Sequence, residues 1–281
     1  MGDGHFKIAC VQHCAGLDAA ANLATLARLI ESAVAQGAEL VCLPEYCAAY
    51  GMTNGRLDVG ARAEVEHEAL ARLSEQARRH RCWVLIGSIG VLAEDGRILN
   101  RSYLVDPQGA IRARYDKIHL FDVDLARGES YRESSTIRPG ETAPVVATPF
   151  ARLGLTICYD LRFPQLYRAL AKAGADVLFV PAAFTRTTGQ AHWHVLLRAR
   201  AIETGAFVVA PSQCGEARDG RLARYGHSLI VDPWGEVLAD GGEDEGVIAA
   251  ELDLARVADA RRMIPALRHD RVFEVQTTGE S

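Results

Sequence analysis

The sequence predicts an α/β protein whose two sheets carry helices on their outer sides. Three observations lead there: short apolar, β-branched runs recur along the chain, amphipathic helical periods separate several of them, and tight-turn sequences join others. The 281 residues are 49% hydrophobic and 24% charged, enough for a large core without disulfide staples. No Pro/Ser-rich linker or lasting change of composition divides them, so one domain over 1–281 is expected.

FKIACVQH, residues 6–13, reads as the first strand. Asp18 then precedes a helix whose Leu23, Leu26, Ile30 and Ala33 or Val34 share one face. ELVCLPEY, residues 39–46, is the next strand and puts Glu45 at its carboxyl end, where α/β proteins gather ligand groups. A second helix is expected over 61–80, then a strand over 83–92 with close-approach glycines. ILNRSYLV and IRARYDKIHL flank DPQG, a hairpin turn, so the sheet is mixed and the second of these strands leads to Lys117. Residues 121–144 are charged, rich in Ser, Gly and Pro, and lack amphipathic period; a long pocket-shaping loop is expected.

The run from Leu153 to Cys158 is a buried strand in composition, and Phe163, Leu166, Tyr167 and Leu170 repeat at helical spacing after Pro164 in a first turn. Cys158 thus falls where a strand passes into a helix. Such a junction lifts a thiol from the sheet and sets backbone N–H groups beside it, although an isolated cysteine also serves as a small buried hydrophobe. ADVLFVPAAF, the helix HWHVLLRARAIETG and the strand AFVVAPSQC follow. A hairpin about Asp232-Pro233-Trp234-Gly235, a final strand EGVIAAELDL and a charged tail over 255–281 that would reach an oligomeric partner complete the chain; no regular repeat of 20–50 residues is present.

A net charge of −5 and a pI near 6.0 give no electrostatic case for nucleic acid. Arg198, Arg200, Arg218, Arg221 and Arg224 are locally dense, but acidic residues flank them and no nucleic-acid module appears. The cysteines at 10, 14, 42, 47, 82, 158 and 214 are odd in number and no secretory leader precedes them, which points to the reducing cytoplasm. Cys10-x3-Cys14 and Cys42-x4-Cys47 lack matching histidines, so no metal is expected, and no continuous 18-residue apolar run suggests a membrane span.

Glu45, Lys117 and Cys158 each sit at a strand end. A thiol is only a few per cent ionised near neutrality, so a nucleophilic cysteine needs an acceptor for its proton or a nearby cation. Glu45 could supply the first and Lys117 the second, yet such a residue seen alone is usually a solvated charge or half of a surface pair, and spacing does not bring the three together.

LPEY at 43–46, YDKIHLFDVD at 115–124 and TICYDLRFPQLYR at 156–168 together resemble the successive signatures of the nitrilase-like carbon-nitrogen hydrolase family. Residues 181–215 and 225–239 extend that resemblance through most of the chain. It implies a four-layer α-β-β-α sandwich, usually a homodimer, with Glu45 as general base, Lys117 as oxyanion-stabilising cation, Cys158 as nucleophile and Glu133 positioning the lysine. The Tyr159 N–H would complete the oxyanion hole. No cofactor or metal is implied.

RFP, TTGQAHWH, SQCG and YGHSLIVDPWG most resemble the amidase branch acting on deaminated glutathione and small omega-amides of 2-oxo dicarboxylic acids. The branch implies cleavage of a small-molecule amide to 2-oxoglutarate and cysteinylglycine, with omega-amidase or a broader carbon-nitrogen hydrolase as alternatives and an inactive interaction protein as a remote one. Arg162 could pair with a substrate carboxylate or form a salt bridge at the helix start or dimer contact. Tyr50, Thr187 and His192 are further pocket residues in this reading.

Overall fold

In a computed structural model of the chain, residues 4–54, 56–124, 130–215 and 223–278 are described. Arg218, Arg221 and residues 125–129 of the 121–144 segment lie outside them. Chain order runs β1 (His5–Gln12), α1 (Ala19–Ala35), β2 (Leu40–Cys42), β3 (Gly51–Thr53), β4 (Arg56–Asp58), α2 (Glu68–His80), β5 (Trp83–Leu92), β6 (Ile98–Val105) and β7 (Ile111–Asp116). Then come β8 (Asp122–Asp124), β9 (Ser130–Arg132), β10 (Val145–Ala147), β11 (Arg152–Leu155), α3 (Pro164–Lys172), β12 (Val177–Phe179) and α4 (Arg186–Thr204). β13 (Phe207–Ala210), β14 (Leu229–Val231), β15 (Val237–Asp240), β16 (Gly246–Asp253) and α5 (Ala255–Met263) close the chain.

Two six-stranded sheets have the orders β16-β1-β2-β5-β6-β7 and β10-β11-β12-β13-β14-β15. Each has three parallel strands at its centre, one antiparallel strand on one side and a two-strand antiparallel meander on the other. Helices α1 and α2 cross over between the parallel strands of the first sheet, α3 and α4 between those of the second. The two halves therefore follow one plan.

Strand periodicity explains the layering. In β1, Ile8 and Cys10 join the core that includes the second sheet, whereas Ala9 and Val11 join the one formed with α1 and α2. Leu40 and Cys42 in β2 split from Val41 in the same way. Strands covered on both faces are apolar throughout, which is why these segments read as continuous runs. Asp18 caps α1 by accepting from Ala21 N at 3.1 Å, and Pro164 opens α3.

Several boundaries differ from expectation. The predicted 61–80 helix begins only at Glu68; Glu64–Glu66 form a 3-10 turn that presents the Glu64 carboxylate to Arg101, Arg114 and Tyr103. The strand toward Glu45 ends at Cys42, and the strand toward Cys158 ends at Leu155, so Glu45 stands on a loop and Cys158 opens a 3-10 turn, each three residues beyond its strand. The 121–144 segment is not loop alone: β8 pairs β9, and Glu133–Ser135 make a 3-10 turn. No helix among the described residues is long and apolar enough to cross a membrane.

Candidate functional site

Glu45, Lys117, Glu133 and Cys158 meet beyond the carboxyl ends of the parallel strands. Gly87 in β5 allows the approach of the Glu45 loop: a Cβ there would stand 1.9 Å from the Leu43 carbonyl oxygen and 2.5 Å from that of Pro44. Tyr46 adopts φ +50°, and its N–H is held by Ser88 Oγ at 2.8 Å. Lys117 follows β7, its backbone pinned between the Asn100 carbonyl and the Gly140 N–H.

Lys117 Nζ, only 2% exposed, donates to Glu45 Oε1 at 3.0 Å and to Glu133 Oε2 and Oε1 at 2.8 and 3.1 Å. Three donors meet three carboxylate oxygens. Burial disfavours the ammonium, but the negative charges of Glu133 and Glu45 outweigh it and hold the Lys117 pKa well above its ordinary value. Glu133 also accepts from Phe121 N at 2.7 Å and Tyr46 OH at 3.3 Å. Glu45 Oε2 accepts from Ala183 N at 2.8 Å, on the loop after β12.

Cys158 opens a 3-10 turn at φ +48°, with its N–H donating to the Pro181 carbonyl at 2.9 Å. A left-handed backbone at a non-glycine residue is strained, and here it turns the thiol toward the carboxylate. The thiol hydrogen-bonds Glu45. Burial, then the Glu45 charge, pushes its pKa well up; Lys117 and the Ala183 N–H act in the opposite sense. The resting sulfur is thus a neutral thiol, held against the Glu45 carboxylate.

Two side chains that the sequence reading passed over complete the cluster. Asn100 Nδ2, from β6, donates to Glu45 Oε1 at 2.8 Å and Glu133 Oε1 at 3.3 Å. Gln213 Nε2, after β13, donates to the Glu45 and Tyr46 carbonyls at 3.0 and 3.3 Å. Both are polar residues at or beside the end of an apolar run, the one signal available beforehand.

The substrate-side candidates fall into two groups. Tyr50 stacks on Tyr46 with ring centroids 5.6 Å apart, and the Arg224 guanidinium lies 4.5 Å from its ring centre. Tyr159 packs edge-on to Phe121 and Phe163, and its N–H falls between those of Cys158 and Asp160, which are bound to carbonyls. Arg162 meets no carboxylate among the described residues; its Nη atoms lie 3.3 and 3.4 Å from His192 Nδ1, and its guanidinium covers Phe184. His192 and Thr187 are exposed on α4, with His192 tied to Arg162 rather than to the buried cluster.

Among the described residues, the group with metal-ligand chemistry is His194, His227 and Asp240, with donor atoms within 4.8 Å of one another. Both imidazoles already bond the Asp240 carboxylate, His227 at 2.8 Å and His194 at 3.0 Å.

Fold and site define a class: an α-β-β-α hydrolase scaffold that buries a thiol, carboxylates and an ammonium together at the ends of two parallel-centred sheets. The carbon-nitrogen hydrolase family model matches residues 7–262, and the chain belongs to that family. It is an amide-hydrolysing enzyme. The deaminated glutathione amidase of Synechocystis sp. is 45% identical over 256 residues, 90% of this chain and 93% of that protein. The omega-amidase NIT2 of Homo sapiens is 35% identical over 268 residues, 95% of each. The crystal structure of the C. elegans NitFhit protein superposes with a TM-score of 0.87 at 39% identity, covering 96% of this chain and 66% of that longer one.

Proposed function

We propose that this enzyme hydrolyses deaminated glutathione to 2-oxoglutarate and cysteinylglycine through a thioester on Cys158. The observation that carries the chemistry is Glu45, which accepts from both the Cys158 thiol and Lys117 Nζ. The similarity to a deaminated glutathione amidase over 90% of the chain supports the substrate.

Cys158 Sγ attacks the amide carbonyl as Glu45 takes the thiol proton, so free thiolate never accumulates in the apolar site. The Tyr159 N–H donates to the developing oxyanion. Lys117 spends its protons on two carboxylates and acts mainly through its charge until substrate displaces one of those bonds. Glu45 returns the proton to the departing nitrogen, releasing the amine half, then deprotonates water for attack on the thioester. Glu133 and Asn100 fix Lys117 and Glu45, while Arg162, with Tyr50, Thr187 and His192 around the pocket, pairs with a substrate carboxylate in this reading.

The working form in this reading is a cytoplasmic homodimer. All seven cysteines are free, and α4, α5 and the tail expose Val195, Ile202, Met263, Ile264, Val272, Phe273 and Val275, apolar area that a second copy would cover.

The test compares kcat/KM for deaminated glutathione and 2-oxoglutaramate, following 2-oxoglutarate, with Cys158→Ala as control. Preference for the larger amide is expected. Preference for 2-oxoglutaramate would move the assignment to omega-amidase, in keeping with the human relative, and turnover by Cys158→Ala would remove the nucleophile from the scheme.

A further inference from the structure

Away from the Lys117 cluster, a second pair of sulfurs stands beside a buried cation. His13, just past β1, and Gln213, just past β13, pair in a parallel bridge, and the next residue on each segment is a cysteine. Cys214 N–H donates to the His13 carbonyl at 3.1 Å, and the Cys14 and Cys214 thiols hydrogen-bond each other. Neighbouring strand segments lie about 4.8 Å apart, within the roughly 4.4–6.8 Å Cα separation that a disulfide needs. The backbone path is thus already at bridging distance.

Arg224 supplies the electrostatics. It is 2% exposed, and its Nε and Nη2 have no acceptor among the described residues. Its Nη1 lies 3.8 Å from Cys14 Sγ. A guanidinium taken out of water is stabilised by a facing anion, so a negative charge on Cys14 answers the cation that lacks one among the described residues. The other charged or titratable groups felt by this sulfur are Cys214, which donates to it, and Glu245, which opposes its ionisation; His13 bonds Glu245 and also feels the Arg224 charge. Cys14 is partly exposed and Cys214 is buried, the ordering required of an attacking and a resolving thiol.

We propose that Cys14 and Cys214 form a thiol–disulfide exchange site, with Cys14 the attacking sulfur, Cys214 the resolving one and Arg224 the cation that activates it. Cys14 thiolate attacks one sulfur of a low-molecular-weight disulfide, forming a mixed disulfide and expelling one small thiolate. Cys214 then attacks Cys14 Sγ, expelling the second. The protons of the two protein thiols end on the two small thiols; the protein loses two electrons and the reagent gains them. The site meets the hydrolytic one through Gln213, which precedes Cys214 and holds the Glu45 carbonyl, and through Arg224, which lies over the Tyr50 ring.

The test uses full-length Cys158→Ala protein, which removes the thiol assigned to amide hydrolysis, and glutathione disulfide as the probe. Peptide mapping is expected to show Cys14 joined to Cys214, with a loss of about 2 Da from the intact chain, reversed by dithiothreitol and absent after Cys14→Ser. Hydrogen-bonding to Cys214, and then the Arg224 charge against the penalty of burial, draws the Cys14 pKa down to about 6. Arg224→Met should therefore slow Cys14 alkylation at neutral pH by about tenfold, as thiolate gives way to thiol. A stable mixed disulfide confined to Cys14, a bridge to another cysteine, no reaction, or alkylation in Arg224→Met as fast as in the parent would each overturn the proposal.

Discussion

Asn100 Nδ2 sits 2.8 Å from Glu45 Oε1, reaching from β6 across β5 to a carboxylate carried beyond β2. A neutral donor thereby fixes the proposed base without adding charge to a buried site that already holds two carboxylates and one ammonium. Asn100→Ala is expected to lower kcat by about ten- to a hundredfold with KM little changed, because the lost bond orients Glu45 rather than substrate. Asn100→Asp should be worse, since a third carboxylate would face Glu45 and Glu133. Steady-state kinetics on both variants checks the order.

Lys117→Met leaves Glu45 and Glu133 buried without their cation. Stability should drop by about 3–5 kcal/mol in urea unfolding near neutral pH, the usual penalty for removing one partner of a buried ionic group. Adding Glu133→Gln should recover part of that loss but no activity. A single variant as stable as the parent would mean that the charges are not buried together.

Gly87→Ala tests the close approach beneath the Glu45 loop. Its Cβ would overlap the Leu43 carbonyl at 1.9 Å, a backbone atom that cannot rotate away. A loss of about 3 kcal/mol in unfolding free energy is expected, together with reduced kcat.

Acid stability should carry the signature of Glu64. Burial alone would raise its pKa, but bonds from Arg114, Arg101 and Tyr103 draw it down to about 2 from 4.5. The folded value is depressed, so its stabilisation is complete above about pH 4.5 and fades as pH falls toward 2. After allowance for solvent at this partly exposed site it amounts to about 1–2 kcal/mol. The stability gap between wild type and Glu64→Gln should therefore narrow over that window; a constant gap would show that the three donors do not favour the ionised form.

Cys158 should show the opposite trend to an exposed thiol. Because burial and Glu45 raise its pKa, the rate of iodoacetamide labelling at this residue should still be climbing above pH 9, whereas amide hydrolysis, with Glu45 as the proposed acceptor, is expected already near neutrality. Mass spectrometry of timed samples separates the two. Labelling that levels off near pH 7 would mean a thiolate in the resting enzyme.

Much of this was legible from residues alone. The doubly covered strands announce themselves because both faces are apolar, and the DPQG and DPWG turns mark the antiparallel meanders. Glu45, Lys117, Glu133 and Cys158 are visible as motif residues, but their meeting depends on two separate sheets packing face to face, which no local period encodes. The 3-10 turns at Glu64 and Cys158 escaped because they are set by distant partners: the arginines of β6 and β7 in one case, the Pro181 carbonyl in the other. Arg162 stayed open between a substrate carboxylate and a salt bridge because its setting is tertiary: among the described residues its neighbours are an imidazole and aromatic rings.

The pairing of β1 with β16 sets the timetable of folding. All eight residues of β1, from His5 to Gln12, pair with positions 253 back to 246. On the ribosome the first strand to emerge must therefore wait for nearly the whole chain before its outer edge is sealed. During that interval an apolar strand presents open amides and carbonyls to other nascent chains. Closure over so long a separation is slow, making the last strand the latch of the first sheet. Chains cut short before residue 246 should collect as aggregates rather than as a soluble, weaker enzyme.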